Sequence, residues 1–226
     1  MGQSYLLFSL PALALTIIAQ IFVKTTFSKF SKVQSGNTKT GLEVANLIKN
    51  GENFPVDILP NQKPLGDYFD PTKNIVAISS ENVESNSVSN IAVVAHEMGH
   101  VEQRFASSAV YNLRKVFIPV SNIGTQIGYA LFFIGLAISQ LNLATVGLLF
   151  FSSSVILSLI TLPVELDASK RALAFIEKYD LISEENRPGA KKVLRAAAFT
   201  YFAGLLTSIV NVLYYASILS GRKSKN

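Results

Sequence analysis

The only two histidines of the chain lie four positions apart, in the run His96-Glu97-Met98-Gly99-His100. On an α-helix, residues four apart share a face, so both imidazole rings can present a nitrogen atom to one zinc ion. Glu97 is next to the first histidine, where a carboxylate can hold and deprotonate a water molecule on the ion. The pattern therefore predicts the core of a metallopeptidase site, with Glu97 as the catalytic acid and base.

An apolar segment around this motif predicts the helix that must carry it. The run from Asn86 to Ser89 offers candidates for the N-cap. Gly99 costs helix stability by about 1 kcal/mol relative to alanine, so we expect it to serve close packing. The residues expected on buried faces of this helix are Ile91, Val94, Ala95, Met98 and Phe105.

A catalytic zinc needs a third protein ligand and one open position. The chain has no third histidine and no cysteine, so a carboxylate must supply that ligand. Glu165 is the first candidate because it follows a long apolar run, where an unpaired charge is costly and a zinc ion would offset the cost. Asp167 is the alternative ligand, or a residue that orients a ligand histidine. The remaining alternative is that both acids lie at a solvated helix start, where the helix dipole favours them.

The composition predicts an integral membrane protein. Hydrophobic residues make up 49% of the 226 residues and charged residues only 15%, which is too apolar for an ordinary soluble protein. No charged residue occurs in 1–23, 116–164 or 196–221. Each run can cross a bilayer about 30 Å thick, and the middle run can cross it twice. The predicted spans are Tyr5–Val23, Val116–Ile138, Leu143–Leu162 and Ala196–Leu219.

The predicted fold is mainly α, with four transmembrane helices and a small α+β zincin-like catalytic domain that carries the His-Glu motif. The predicted organisation is a transmembrane helix (1–23), the catalytic domain (24–115), a transmembrane hairpin (116–162), a helical segment with the third ligand (163–195), and a transmembrane helix with a basic tail (196–226). Within these segments the patterns predict a helix at Thr40–Asn50, a strand at Phe54–Ile58, a hairpin at Leu65–Ile78 with its turn at Asp70–Asn74, and a helix at Val164–Tyr179 opened by Pro163.

Four crossings put both termini on one side of the membrane, and put 24–115 and 164–195 together on the other, so the motif and Glu165 share a compartment. Basic residues near the span ends favour the cytoplasm for that side. They are Lys24, Lys29, Lys32, Arg114, Lys115, Lys170, Arg171, Lys191, Lys192 and Arg195, against Arg222, Lys223 and Lys225 opposite. The net charge of +5 comes with no nucleic-acid-binding motif, so nucleic acid is not an expected partner.

Several segments in order resemble one family, the bacterial membrane-bound neutral zinc metallopeptidases. They are Asp67–Pro71, His96–His100, Leu113–Arg114, Val120–Asn122, Leu162–Ala172 and Lys192–Ala198, and the match runs over about 40–216. The resemblance implies an integral-membrane zinc peptidase of the gluzincin type. It implies one zinc ion bound by His96, His100 and Glu165, with Glu97 as the catalytic acid and base. The sequence departs from the family pattern at Tyr68, where we expect histidine, and at Glu102, where we expect a small or apolar residue.

Candidate hydrogen-bond donors to the oxyanion of a reaction intermediate are Tyr68, Tyr111 and Arg171. For each of them the alternative is a purely structural role in surface or interface packing. Arg171 lies four residues after Asp167 and could instead neutralise it. Expected partners are a peptide or protein substrate, including membrane proteins, and the lipid bilayer of the cell membrane, and the oligomeric state is open. The alternative functions are an inactive zinc-containing membrane scaffold and, less favoured, a small transporter, since the predicted spans hold no ionisable group at mid-depth.

Overall fold

A computed structural model describes residues 2–63 and 66–223. Leu65, in the predicted hairpin, and Lys225, in the predicted basic tail, lie outside these residues. The helices are α1 (Gly2–Phe30), α2 (Gly41–Gly51), α3 (Ser80–Val83), α4 (Val88–Phe105), α5 (Ala109–Ala137), α6 (Leu141–Phe151), α7 (Ser153–Lys178) and α8 (Arg187–Lys223). The strands are β1 (Asp57–Asn61), β2 (Tyr68–Asp70) and β3 (Ile75–Ser79). The protein is therefore mainly helical with one small sheet, as predicted.

Within the described residues, four helical stretches are long and apolar enough to cross a membrane: Ser9–Phe30, Ala109–Ala137, Leu141–Lys178 and Arg187–Arg222. Their number and order match the predicted spans. Several ends differ, because the prediction bounded the spans at Lys24, Lys115 and Arg195, and the helices continue past these charged residues. Lysine, arginine and glutamate are good helix formers, so a helix continues past them.

The prediction that Pro163 opens a new helix is wrong, because Pro163 lies inside α7. The boundary between α6 and α7 lies earlier, at Ser152, and there the backbone stays helical, because the N–H of Ser152 donates to the carbonyl oxygen of Leu148 over 3.0 Å. Proline removes only one backbone donor, and neighbouring helices can hold the rest of a helix in place. Glu165 and Asp167 therefore lie within a helix and not at its start. Glu165 is only 1% exposed, which contradicts the solvated-start alternative for this residue.

The described residues form two compact units. The first is drawn from Met1–Ala19, Asn112–Pro163 and Thr200–Asn226, and the second from Gln20–Tyr111 and Val164–Phe199. In the first unit, α5 and α6 approach closely through glycines. A Cβ atom added at Gly128 would lie 2.5 Å from the backbone nitrogen of Phe151, and one at Gly135 or Gly147 would also meet backbone atoms of the facing helix. These small residues pack helices within one chain.

The sheet of the second unit has the order β1-β3-β2, with β1 parallel and β2 antiparallel to β3. The hairpin predicted around Asp70–Asn74 is confirmed, and the side chain of Asp70 accepts a hydrogen bond from the backbone N–H of Thr72 over 2.8 Å. The predicted strand Phe54–Ile58 is wrong, because the strand begins only at Asp57. The backbone before Asp57 forms hydrogen bonds within local turns instead of with a neighbouring strand. For example, the N–H of Phe54 donates to the Lys49 carbonyl oxygen over 2.9 Å.

Two capped helices build the core of the second unit. The side chain of Thr40 caps α2, and Glu43 returns the bond by accepting from the Thr40 backbone N–H over 2.7 Å. Ser87 caps α4. The predicted buried face of α4 is confirmed at Ile91, Val94, Ala95 and Met98, whereas Phe105 is 36% exposed. Part of α7 joins this core through Ala172, Phe175 and Ile176.

Gly99 is a point of close approach between α4 and α7. A Cβ atom at this position would lie 2.5 Å from the carbonyl oxygen of Ala168. The obstacle is backbone, so no side-chain rotation can relieve it. Gly99 therefore serves close packing, as its position between the two histidines predicted.

We expect Gly99→Ala to lower the thermal unfolding temperature of the protein in detergent, although alanine favours helix by about 1 kcal/mol. Overpacking against backbone costs roughly 1–3 kcal/mol and outweighs that gain. The matched control is Gly204→Ala in α8, where an added Cβ atom meets nothing within 4 Å. Equal unfolding temperatures for the two variants would contradict the packing role of Gly99.

Candidate metal centre

Three side chains from two helices meet in the second unit. His96 and His100 lie on α4, and Glu165 reaches them from α7. The Nε2 atoms of His96 and His100 lie 3.2 and 3.5 Å from the same oxygen, Oε2 of Glu165. One ligand atom from each residue lies within 4.8 Å of the others. The side chains are only 14%, 12% and 2% exposed, respectively, so the cluster is largely shielded from water.

The geometry of this cluster fits a zinc ion. Two atoms bound at 2.0–2.1 Å to a tetrahedral zinc lie roughly 3.3 Å apart, and the two nitrogen–oxygen distances of 3.2 and 3.5 Å bracket that value. Two imidazole nitrogens and one carboxylate oxygen are also a donor set that suits zinc. The residues present are therefore compatible with the metal that the sequence predicts, and Glu165 rather than Asp167 lies in the cluster.

The electrostatics of the motif follow from burial and from the close carboxylates. Burial by itself lowers the pKa of His100, but the hydrogen bond to Glu165 and the charge of Glu97 outweigh it, so the pKa lies above its usual value. Burial raises the pKa of Glu97, although both histidines act in the opposite direction. A metal ion binds the neutral ring, so a metal ion and a proton would compete for His100.

The sheet holds the Glu97 carboxylate. Oε2 of Glu97 accepts a hydrogen bond from the backbone N–H of Phe69 over 3.1 Å. Phe69 is the middle residue of β2, which is one of the two edge strands in the order β1-β3-β2. Asp67 anchors the start of that strand by accepting from the backbone N–H and the hydroxyl of Ser79, over 2.9 and 2.8 Å, and from Asn82 over 2.7 Å. The Glu97 carboxylate therefore lies against an edge strand of the sheet.

The second nitrogen of each ring also has a polar neighbour. Nδ1 of His100 lies 2.9 Å from Oε1 of Gln103, and Nδ1 of His96 lies 3.3 Å from Oγ of Ser169. Such contacts on the far nitrogen orient a histidine ring so that the other nitrogen can bind a metal. Sequence reasoning missed both residues. Helical spacing could have found them, because Gln103 lies three residues after His100 and Ser169 four after Glu165, on the same helical faces.

Asp167 and Arg171 form a predicted pair, since Nε of Arg171 donates to Oδ2 of Asp167 over 2.8 Å. Asp167 makes no direct hydrogen bond to a histidine, which corrects the prediction that it orients a ligand histidine by contact. Instead Nε2 of Gln103 donates to the same Oδ2 over 2.8 Å, and Gln103 lies between Asp167 and His100. Glu102 departs from the family pattern, and its Oε1 atom forms an ion pair with Nη1 of Arg171 over 3.1 Å. The Arg171 guanidinium is thus engaged by two carboxylates, which disfavours it as an oxyanion donor.

The two tyrosines proposed as oxyanion donors lie in different settings. Tyr68 is 51% exposed, and its side chain lines a groove on the outer face of the sheet with Leu59, Lys73 and Ala77. It follows that the phenol and the Phe69 side chain lie on opposite faces of β2. Tyr111 is buried in the first turn of α5, at 7% exposure. The structure does not bring Tyr68 into the cluster of ligands, and the role of Tyr111 in chemistry stays a prediction.

Fold and site together define, within the described residues, a helical protein with four candidate membrane spans and a cluster of two histidines and one glutamate that could hold a metal ion. A family model described as "Putative neutral zinc metallopeptidase" matches residues 5–220, and the chain belongs to this family. A similar protein is the "Putative membrane protease YugP" of Bacillus subtilis (strain 168), which is 35% identical over 223 residues, 98% of this chain and 99% of the relative. No solved structure matches the chain. The resemblance found in the sequence is therefore confirmed.

We expect the purified protein to bind one zinc ion per chain, and Glu165→Gln to weaken that binding. Glutamine keeps the shape of the ligand but loses its charge. Loss of a residue that only hydrogen-bonds to a metal ligand typically lowers affinity roughly 10- to 100-fold, and we expect zinc affinity to fall by more than that here. Competition with a chelator measures the affinity. Glu177→Gln on the exposed side of α7 is the control and should bind zinc like the unchanged protein. Retention of full affinity in Glu165→Gln would exclude Glu165 as a ligand.

Proposed function

We propose that this protein is a zinc-dependent endopeptidase of the cell membrane. The observation that carries the proposal is the convergence of the two Nε2 atoms and the Glu165 oxygen at distances suited to zinc, with the Glu97 carboxylate beside them. The zinc-peptidase family and the membrane-protease relative support it. The second unit would act as a zincin-like catalytic domain.

His96, His100 and Glu165 would hold the ion, and a bound zinc would supply Lewis-acid activation of a water molecule and of the scissile carbonyl group. Glu97 would accept the proton of the attacking water and return it to the leaving amine. The Phe69 N–H fixes one oxygen of this carboxylate, so the base is oriented before substrate arrives. The low exposure of the ligands keeps bulk water from competing with these contacts.

The substrate would bind as an extended peptide along the open edge of β2. Strand β2 ends the sheet order β1-β3-β2, so the outer backbone groups other than the Phe69 N–H, which donates to Glu97, could pair with an added strand. The Phe69 N–H shows that this edge runs directly beside Glu97. A peptide added to the edge would therefore pass the catalytic carboxylate. The substrate class is thus a peptide or protein segment that can become extended, including segments of membrane proteins.

We expect Glu97→Gln to lower the rate of peptide cleavage by at least roughly 10²- to 10⁴-fold, because a general acid and base is lost. Bound zinc should stay at one ion per chain, since Glu97 is not among the ligands. Cleavage of a fluorogenic peptide library together with metal analysis measures both. The exposed Glu84→Gln variant is the control. Undiminished cleavage by Glu97→Gln would refute the mechanism, and stoichiometric zinc without turnover of any peptide would favour the inactive scaffold.

The proposed location of the catalytic side is the cytoplasm. The support is the excess of lysine and arginine near the ends of the candidate spans in 24–115 and 164–195. In this arrangement the turn between α5 and α6 and both termini would face the outside. The protein would then act on peptides or protein segments that are accessible from the cytoplasm.

Because the chain contains no cysteine, single introduced cysteines test this topology without background. We expect Gln140→Cys, in the turn before α6, to react with a membrane-impermeant maleimide in intact cells. Glu185→Cys, between α7 and α8, should react only after the membrane is permeabilised. The reverse pattern would place the metal site outside the cytoplasm.

A further inference from the structure

We infer that Gln103 is a positioning residue that holds His100 in the form with its proton on Nδ1, leaving the electron pair of Nε2 directed at the metal position. The inference rests on the proposed metal site and adds a residue to it. Gln103 lies on α4 one turn beyond His100, and its side chain reaches both that histidine and α7.

Gln103 is fully buried, at 0% exposure. A buried amide is costly unless its polar atoms are paired. Here each end is paired. Nε2 donates one hydrogen to the carbonyl oxygen of Val164 and the other to Oδ2 of Asp167, both over 2.8 Å, and Oε1 lies 2.9 Å from Nδ1 of His100. A long polar side chain kept in the core with every group satisfied indicates a specific role in the site.

The two partners on α7 determine which way the amide points. The carbonyl oxygen of Val164 and an ionised Asp167 are acceptors only, so they require the NH₂ group of Gln103. A flipped amide would place its oxygen against two other oxygens. Arg171 reinforces this orientation, because its permanent positive charge lies 2.8 Å from the same Asp167 oxygen. The oxygen of Gln103 must therefore face His100.

The orientation of the amide in turn determines the proton position on His100. An amide oxygen only accepts, so Nδ1 of His100 must donate and must carry a hydrogen. In the neutral ring the electron pair is then on Nε2, which lies 3.5 Å from Oε2 of Glu165. Oε2 of Glu165 is also an acceptor, so a cation between the two atoms is favourable, either a metal ion or a second proton on the ring. The series of hydrogen bonds from Arg171 through Asp167 and Gln103 thus directs the electron pair of His100 Nε2 toward the metal position.

His96 provides an internal contrast. Its Nδ1 atom faces the hydroxyl of Ser169 over 3.3 Å, and a hydroxyl can either donate or accept. Ser169 therefore does not select one proton position on His96. The two ligand histidines should consequently differ in how strongly their neighbours fix the position of the ring proton.

The test measures the proton position directly in metal-free, full-length protein in detergent at alkaline pH. With only two histidines in the chain, ¹⁵N-histidine labelling gives two ring spectra, and His96→Gln assigns them. Long-range ¹⁵N–¹H correlation should show the Nδ1–H form for His100. We expect Gln103→Leu and Gln103→Met to lose this preference, and zinc affinity to fall roughly 10- to 100-fold, as for other outer partners of a metal ligand.

Matched variants separate positioning from a general loss of structure. Gln126→Leu removes an exposed amide on α5 and should change neither the His100 spectrum nor zinc affinity. Ser169→Ala should weaken zinc binding less than either Gln103 variant. An Nε2–H form for His100 in the unchanged protein would overturn the inference, and so would an unchanged spectrum and affinity in both Gln103 variants. If the unchanged protein binds no zinc, the proposed function fails, while the metal-free spectra still decide the role of Gln103.

Discussion

The site depends on how closely α4 and α7 approach each other. Both histidines, the proposed base and Gln103 lie on α4, whereas Glu165, Asp167 and Ser169 lie on α7. A glutamate side chain is short, so its oxygen can reach two imidazoles on another helix only if the backbones nearly touch. Gly99 permits this contact, because its missing Cβ atom leaves room for the Ala168 carbonyl oxygen. A glycine that weakens α4 as an isolated helix is thus the residue that lets the two helices share one metal position.

A buried polar cluster of this kind is a cost to folding that the hydrogen-bond network offsets. Glu165 and Gln103 are 1% and 0% exposed, and unpaired groups so deep would each cost roughly 1–3 kcal/mol or more. The amide of Gln103 is satisfied within the protein, and Oε2 of Glu165 lies 3.2 and 3.5 Å from the Nε2 atoms of the two histidines. Partly satisfied networks are worse than an apolar core, whereas complete ones define a unique arrangement. The cluster therefore contributes specificity of geometry more than stability.

Much of the arrangement follows from the sequence, and the errors have physical causes. Absence of other histidines and of cysteine left a carboxylate as the third ligand, and uncharged runs of membrane-spanning length predicted four candidate spans. The break assigned to Pro163 failed because a single missing donor does not end a helix that its neighbours support. The strand assigned to Phe54–Ile58 failed because alternating apolar residues can also pack from an irregular segment, and the strand begins only at Asp57. Gln103 was missed because glutamine in a helix is ordinarily a surface residue, and only the partners on α7 give it a role.

The spacing of residues on α7 explains why Glu165 and Asp167 have different tasks. Two residues along a helix differ by about 200° in direction, so both acids cannot face the same atom of α4. Glu165 shares its face with Ala168 and Ser169, the stripe that contacts Gly99 and His96. Asp167 instead shares a face with Arg171, four residues on. Gln103 is long enough to join the two stripes, since its amide bonds both to Asp167 and to the Val164 carbonyl oxygen. An acid that cannot touch a histidine thereby still determines how that histidine is presented.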